Sequence, residues 1–166
     1  MTERPKIILQ LTTADKIFEI IGWLSVLAIW VLTIAAYSKL PDTIPSHYNA
    51  AGTVDGFGGK GTILILPLIA TVLFIAMTML NRFPHIFNYP SAITQDNALQ
   101  QYTNATRMLR YLKLSLVLIF GFILFRTIQT ANGQAEGLPL WFLPLALLLI
   151  FIPLIYFIAA SIKVKV

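Results

Sequence analysis

The chain has 166 residues, of which 57% are hydrophobic and only 11% charged, with a formal net charge of +5. A soluble domain carries roughly a quarter charged residues, so a chain this poor in charge takes the bilayer as its solvent. It contains no cysteine, which excludes disulfides and thiolate metal sites. Its basic residues fit membrane topology better than a nucleic-acid footprint.

In chain order, the polar N-terminal segment leads to Thr12-Thr13-Ala14-Asp15. This is a helix start, with Thr12 as cap and Asp15 at the positive end of the dipole. The first spanning helix is expected at about 17–37, with Glu19 inside it. Glu19 is placed in an interfacial ion pair with Lys16 on the same face, the alternative being an intramembrane proton or ion site. The long polar lead and the lack of an A-x-A site predict a retained helix rather than a cleaved signal.

Residues 40–61, LPDTIPSHYNAAGTVDGFGGKG, interrupt the apolar runs. Pro41 and Pro45 hold an extended start, and Gly52, Asp55-Gly56 and Gly58-Gly59 supply turn positions. A loop of this length is either functional or disordered, and its prolines, aromatics and turn residues predict order. The candidate binding or loop-structuring residues are Pro45, His47, Asn49, Gly52, Asp55, Gly56 and Lys60. His47, Asp42 and Asp55 lack the ligand spacing of a zinc site, so no metal ligand, cofactor or catalytic residue is assigned and a metal-dependent role for them is the least favoured reading.

A second span is expected at 62–80, bent by Pro67. The next connection is extended through Pro84 and Pro90. From Ile93 the apolar residues recur in steps of four and three, continuing into a third helix. A helix over 94–130 would be roughly 55 Å long at 1.5 Å per residue, projecting beyond the bilayer as an amphipathic stalk. Arg110 and Lys113 are expected to snorkel. Near its far end Arg126 either snorkels or clamps the 40–61 loop by pairing with Asp42, Asp55 or Glu136. After an Asn132-Gly133 stop, a fourth span is expected at 138–162, with Pro139 in its first turn and bends at Pro144 and Pro153.

Orientation follows from the cations. Nine of the twelve Lys and Arg residues fall on one side: Arg4, Lys6, Lys16, Arg82, Arg107, Arg110, Lys113, Lys163 and Lys165. Lys39, Lys60 and Arg126 fall on the other. The expected fold is therefore an all-α membrane protein, a single domain over 1–166. Four transmembrane helices form an antiparallel bundle, both termini are cytoplasmic, and an ordered extracytoplasmic loop joins helices one and two.

The 40–60 segment also resembles the signature of a bacterial integral-membrane family of unknown function, found at the N-terminus of the sporulation-delaying-protein toxin immunity protein. Leu40, Pro41, Ile44, Pro45, His47, Tyr48, Asn49, Gly52, Asp55, Gly56, Phe57 and Lys60 fill that pattern, and residues 87–113 resemble the stretch that follows in many members. The resemblance implies a multi-pass protein of the bacterial cytoplasmic membrane, and it transfers no catalytic residues. Three functions follow in order of preference. The first is sensing of, or immunity to, an extracytoplasmic ligand or toxin peptide through the loop. The second is a small transporter or channel. The third is a metal-dependent membrane enzyme. The partners expected are the lipid bilayer, an extracytoplasmic peptide, a cytoplasmic regulator or a second copy of the chain, and no nucleic acid.

Overall fold

The structure, a computed structural model, describes residues 4–164; Lys165, counted among the cations above, lies outside them. Four helices are long and apolar enough to cross a membrane, and they make this a multi-pass membrane protein. They are α1 (Thr13–Tyr37), α2 (Ile65–Leu80, entered through a 3-10 turn at Lys60–Leu64), α3 (Ala98–Ala131) and α4 (Phe142–Ile162). Between α1 and α2 two strands, β1 (Thr43–Tyr48) and β2 (Val54–Gly59), form an antiparallel hairpin.

The start of α1 is a capping box. The Thr12 hydroxyl accepts from the Asp15 amide at 3.3 Å, and the Asp15 carboxylate accepts from the Thr12 amide at 2.9 Å. Beyond it the helix has two faces at steps of four and three. Gly22, Val26, Ile29 and Thr33 are buried, whereas Ile20, Leu24, Leu27, Val31 and Ile34 are exposed. Gly22 and Thr33 join Val26 and Ile29 on the protein side, while the outward face carries large apolar residues, as expected where lipid is the solvent. Gly22 permits the closest approach: a Cβ there would lie 2.5 Å from the Phe74 ring of α2.

The helix α3 is the hub. It packs against α1, α2 and α4, while α4 rests mainly on α3. The core between the first three helices holds Val26, Ile29, Ala70, Phe74, Val117 and Leu124. On the other side of α3 the Phe122 and Phe142 rings stack with centroids 4.9 Å apart. Trp30 Nε1 donates to Thr71 Oγ1 at 2.9 Å, giving the indole the partner that burial demands.

Several expectations are corrected by this architecture. The loop 40–61 carries β structure, so the fold is not purely α. The hairpin was hidden by Pro45 and by the glycine-rich VDGFGG, both poor in strand propensity. The N-terminal part of α3 is no free stalk. Tyr102 is buried and donates to the Pro5 carbonyl at 3.0 Å, and Gln101 Nε2 donates to the Ser161 carbonyl of α4 at 3.0 Å. Pro67 and Pro144 fall in the first turns of α2 and α4, where a missing N–H removes no helical bond of that element. Pro139 precedes α4, its carbonyl accepting from the Phe142 amide at 2.9 Å. Pro153 alone is interior.

Candidate functional site

The hairpin is held to the bundle along one edge. Leu40, Ile44 and Ile63 are buried in the same core cluster as Leu124 and Ile128 of α3. Pro45 is buried beside them and pairs with Phe57. Tyr48 Oη donates to Thr127 Oγ1 of α3 at 2.9 Å. At the base Lys60 Nζ reaches Asp42 Oδ1 at 2.9 Å, and the Lys60 amide donates to the Asp42 carbonyl at 2.9 Å. This charge-assisted hydrogen bond, and then the ammonium charge itself, hold the Asp42 carboxyl below its ordinary range.

The tip is built around Asn49. Its side-chain oxygen accepts from the amides of Ala51 at 3.0 Å and Thr53 at 3.1 Å, the local closure for which asparagine is suited. Gly52 then turns at φ +81°, and its carbonyl accepts from the Leu138 amide at 2.8 Å. Thr53 bridges to Gly137 in the α3–α4 connection. Arg126 completes the chain of contacts, donating to the Gly137 carbonyl from Nε at 2.8 Å and Nη2 at 2.5 Å, and from Nη1 to Gln129 Oε1 at 3.2 Å. Its partners are thus a carbonyl and an amide, where the sequence had suggested Asp42, Asp55 or Glu136.

His47 and Asp55 meet on the outer side of the hairpin, Nδ1 to Oδ1 at 2.5 Å, with side chains 71% and 43% exposed. Gly56 opposes His47 at the register shift, where a Cβ would sit 2.9 Å from the His47 Cβ. A cleft of about 340 Å³ lies between β1, the start of α2 and α3, lined in part by Pro45, His47, Tyr48, Leu66, Ile123 and Thr127. The site residues therefore separate into four groups: Pro45 in the buried edge, His47, Asp55 and Gly56 outside, Asn49 and Gly52 at the tip, and Lys60 at the base. Among the described residues no three His, Asp or Glu side chains converge on a metal position.

A second cluster, at the opposite end of the bundle, escaped the sequence reading. Glu19 of α1 is paired with Arg110 Nε at 3.1 Å and Lys113 Nζ at 2.6 Å, not with Lys16. Asp15 pairs with Arg107 at 3.3 Å and lies 3.7 Å from Arg110. Lys113 does not snorkel. Its side chain is 1% exposed, donates to Thr78 Oγ1 at 2.7 Å and lies 4.6 Å from the Phe74 ring centroid. Charges inside a span survive only when paired and bonded in this way. The signal was present as Asp15/Glu19 at i, i+4 and Arg107/Arg110/Lys113 at i+3 steps, two matched helical faces.

Residues 24–71, from the middle of α1 through the hairpin into α2, match the family model described as Domain of unknown function (DUF1648). A protein of the archaeon Archaeoglobus fulgidus, described only as an uncharacterized protein, is 30% identical over 159 residues, covering 89% of this chain and 87% of its own length. No solved structure matches. The relative is archaeal, whereas the resemblance stated above is to a bacterial family. The chain belongs to the same protein family as this archaeal relative, and from the middle of α1 into α2 it matches the model of a domain of unknown function, DUF1648.

Proposed function

We propose that the chain is a membrane receptor for an extracytoplasmic peptide, with the β1–β2 hairpin as its recognition surface and α3 as the element that carries occupancy inward. In this reading both termini lie in the cytoplasm, as the nine-to-three bias of Lys and Arg favours. The resemblance to the immunity-protein family adds a ligand class, a secreted antimicrobial peptide, and a setting in the bacterial cytoplasmic membrane.

The observation that carries the reading is the asymmetric anchoring of the hairpin. Tyr48, Gly52 and Thr53 are tied to α3 or to the connection after it, while His47, Asp55 and Phe57 stay exposed. An edge fastened to the bundle pre-organises the free face, which lowers the ordering cost of binding. The imidazole–carboxylate pair offers directional donors and acceptors beside the apolar Phe57, a combination suited to a peptide backbone and side chain.

Cells producing the chain, challenged with a panel of secreted antimicrobial peptides, test the reading. Protection by the parent chain that is lost in His47→Ala and Asp55→Ala variants inserted at equal level supports it. Equal survival with and without the chain across the panel removes the peptide-immunity reading.

A further inference from the structure

We propose that the cleft at the N-terminal end of the bundle binds a phosphate-bearing anion, supplied either by the headgroup of an anionic phospholipid or as free phosphate. The cleft has a volume of about 530 Å³ and lies between the 7–11 segment, α1 and the end of α2. Trp23, Thr78, Asn81, Arg82, Glu19 and Arg110 contribute to its wall. This inference goes beyond the receptor reading and does not depend on it, because it concerns the opposite end of the molecule from the hairpin.

Three observations converge. First, the Asn81 side-chain nitrogen and oxygen are both buried and have no hydrogen-bond partner in the structure. A buried amide left unpaired costs free energy, and a ligand that accepts from it recovers that cost. Secondly, the charge is unbalanced. Arg82 and Arg110 line the cleft beside a single carboxylate, Glu19, and among the described residues Arg82 has no carboxylate partner. Both Glu19 oxygens are already engaged, by Arg110 at 3.1 Å and Lys113 at 2.6 Å, so its charge is neutralised locally.

Thirdly, three of the carbonyls at the α2 C-terminus, groups that would repel an anion, already accept hydrogen bonds within the chain. The amides of Asn81, Arg82 and Phe83 donate to Met77, Met79 and Leu80 at 3.1, 3.1 and 2.9 Å. Arg82 and Asn81 both line this cleft, and a guanidinium beside an amide supplies the charge and the donors that a phosphate takes. The apolar wall, Trp23 and Ile8, stands where an acyl chain would continue from a headgroup, and basic pockets beside spanning helices recognise lipids in this way.

The test uses the full chain purified in detergent. Native mass spectrometry measures binding of phosphatidylglycerol and phosphatidic acid against phosphatidylcholine, and calorimetry measures inorganic phosphate. The anionic lipids are expected to bind in preference to phosphatidylcholine. Their occupancy should fall roughly fivefold or more in Arg82→Gln and in Asn81→Ala, as expected for loss of one charge-assisted or buried contact, and hold in Lys39→Gln at the far end. Inorganic phosphate that binds and competes identifies free phosphate as a sufficient ligand; no phosphate binding beside retained lipid binding identifies the lipid as the source. Equal binding of anionic and zwitterionic lipid without phosphate binding overturns the proposal. So does an equal loss in Lys39→Gln and Arg82→Gln, which marks unspecific attraction. Arg82 is exposed, so its variant keeps the fold, and a monodisperse elution profile checks this.

Discussion

Arg126 donates two hydrogen bonds to a single acceptor, the carbonyl oxygen of Gly137, at 2.8 and 2.5 Å. That carbonyl belongs to the residue bridged to Thr53 at the hairpin tip. One side chain on α3 therefore fixes the α3–α4 connection, and through it the far end of the β1–β2 hairpin. Arg126→Ala should lower stability by about 2 kcal/mol, the cost of leaving a charge-bonded carbonyl unsatisfied. Arg126→Lys, with a single point of donation, should recover only part of the loss. Thermal melting of purified protein, with limited proteolysis across 132–141, reads both effects.

Gly52 and Gly133 both hold positive φ, at +81° and +73°, yet their surroundings differ. A Cβ at Gly52 would lie 2.2 Å from the Leu138 carbonyl oxygen, whereas nothing lies within 4 Å of one at Gly133. Gly133→Ala should cost about 1 kcal/mol, the backbone strain alone. Gly52→Ala carries the same strain and must also break the contact between hairpin tip and connection. A melting temperature lower for Gly52→Ala than for Gly133→Ala is the expected outcome, and the reverse order would contradict the docking of the tip.

Within the span, Glu19 is shared between Arg110 and Lys113. Lys113→Met leaves Glu19 with Arg110, while Glu19→Gln leaves Lys113 buried with only Thr78 and the Phe74 face. Removing the carboxylate should therefore be the more damaging change, by about 3 kcal/mol, because an unpaired buried charge remains. Combining the two should cost less than the sum of the single changes. A double-mutant cycle on melting in detergent measures the coupling.

Tyr89, in the connection between α2 and α3, donates its hydroxyl to the Pro84 carbonyl at 2.8 Å. Burial, followed by the neighbouring Tyr102, pushes its pKa above the ordinary phenol value of 10.0. The folded state thus favours the neutral phenol. The stability this contributes is fully present below the unfolded pKa and is lost as pH rises from there towards the folded value. Melting temperature should fall above about pH 10, the reference phenol pKa. The fall should be shallower in Tyr89→Phe, which should itself cost about 1 kcal/mol at neutral pH for the lost hydrogen bond.

The sequence carried the spans because bilayer thickness imposes a length that no short core element imitates. The capping box at Thr12 and Asp15 was legible for the same local reason, since both partners lie within one turn. The hairpin was not, because its stability comes from Ile44 and Leu40 entering the helical core and from contacts of Gly52 with Leu138, all tertiary. The ion cluster failed in another way. Taken one at a time, Arg110 and Lys113 fit snorkelling, whereas in the fold α1 supplies carboxylates at matching height. For Arg126 the sequence leaves snorkelling and a carboxylate partner both open, and the partner found, the Gly137 backbone carbonyl, is one that no sequence pattern marks.

The orientation of the hairpin is the claim on which the receptor reading stands. The chain has no cysteine, so single-cysteine variants report without background. Ser46 on β1 and Gln100 near the start of α3 are both exposed, at opposite ends of the bundle. Ser46→Cys should react with a membrane-impermeant maleimide in intact cells, and Gln100→Cys only after the membrane is opened. Labelling of Gln100→Cys in intact cells, with Ser46→Cys protected until permeabilisation, would place the hairpin inside and contradict the account.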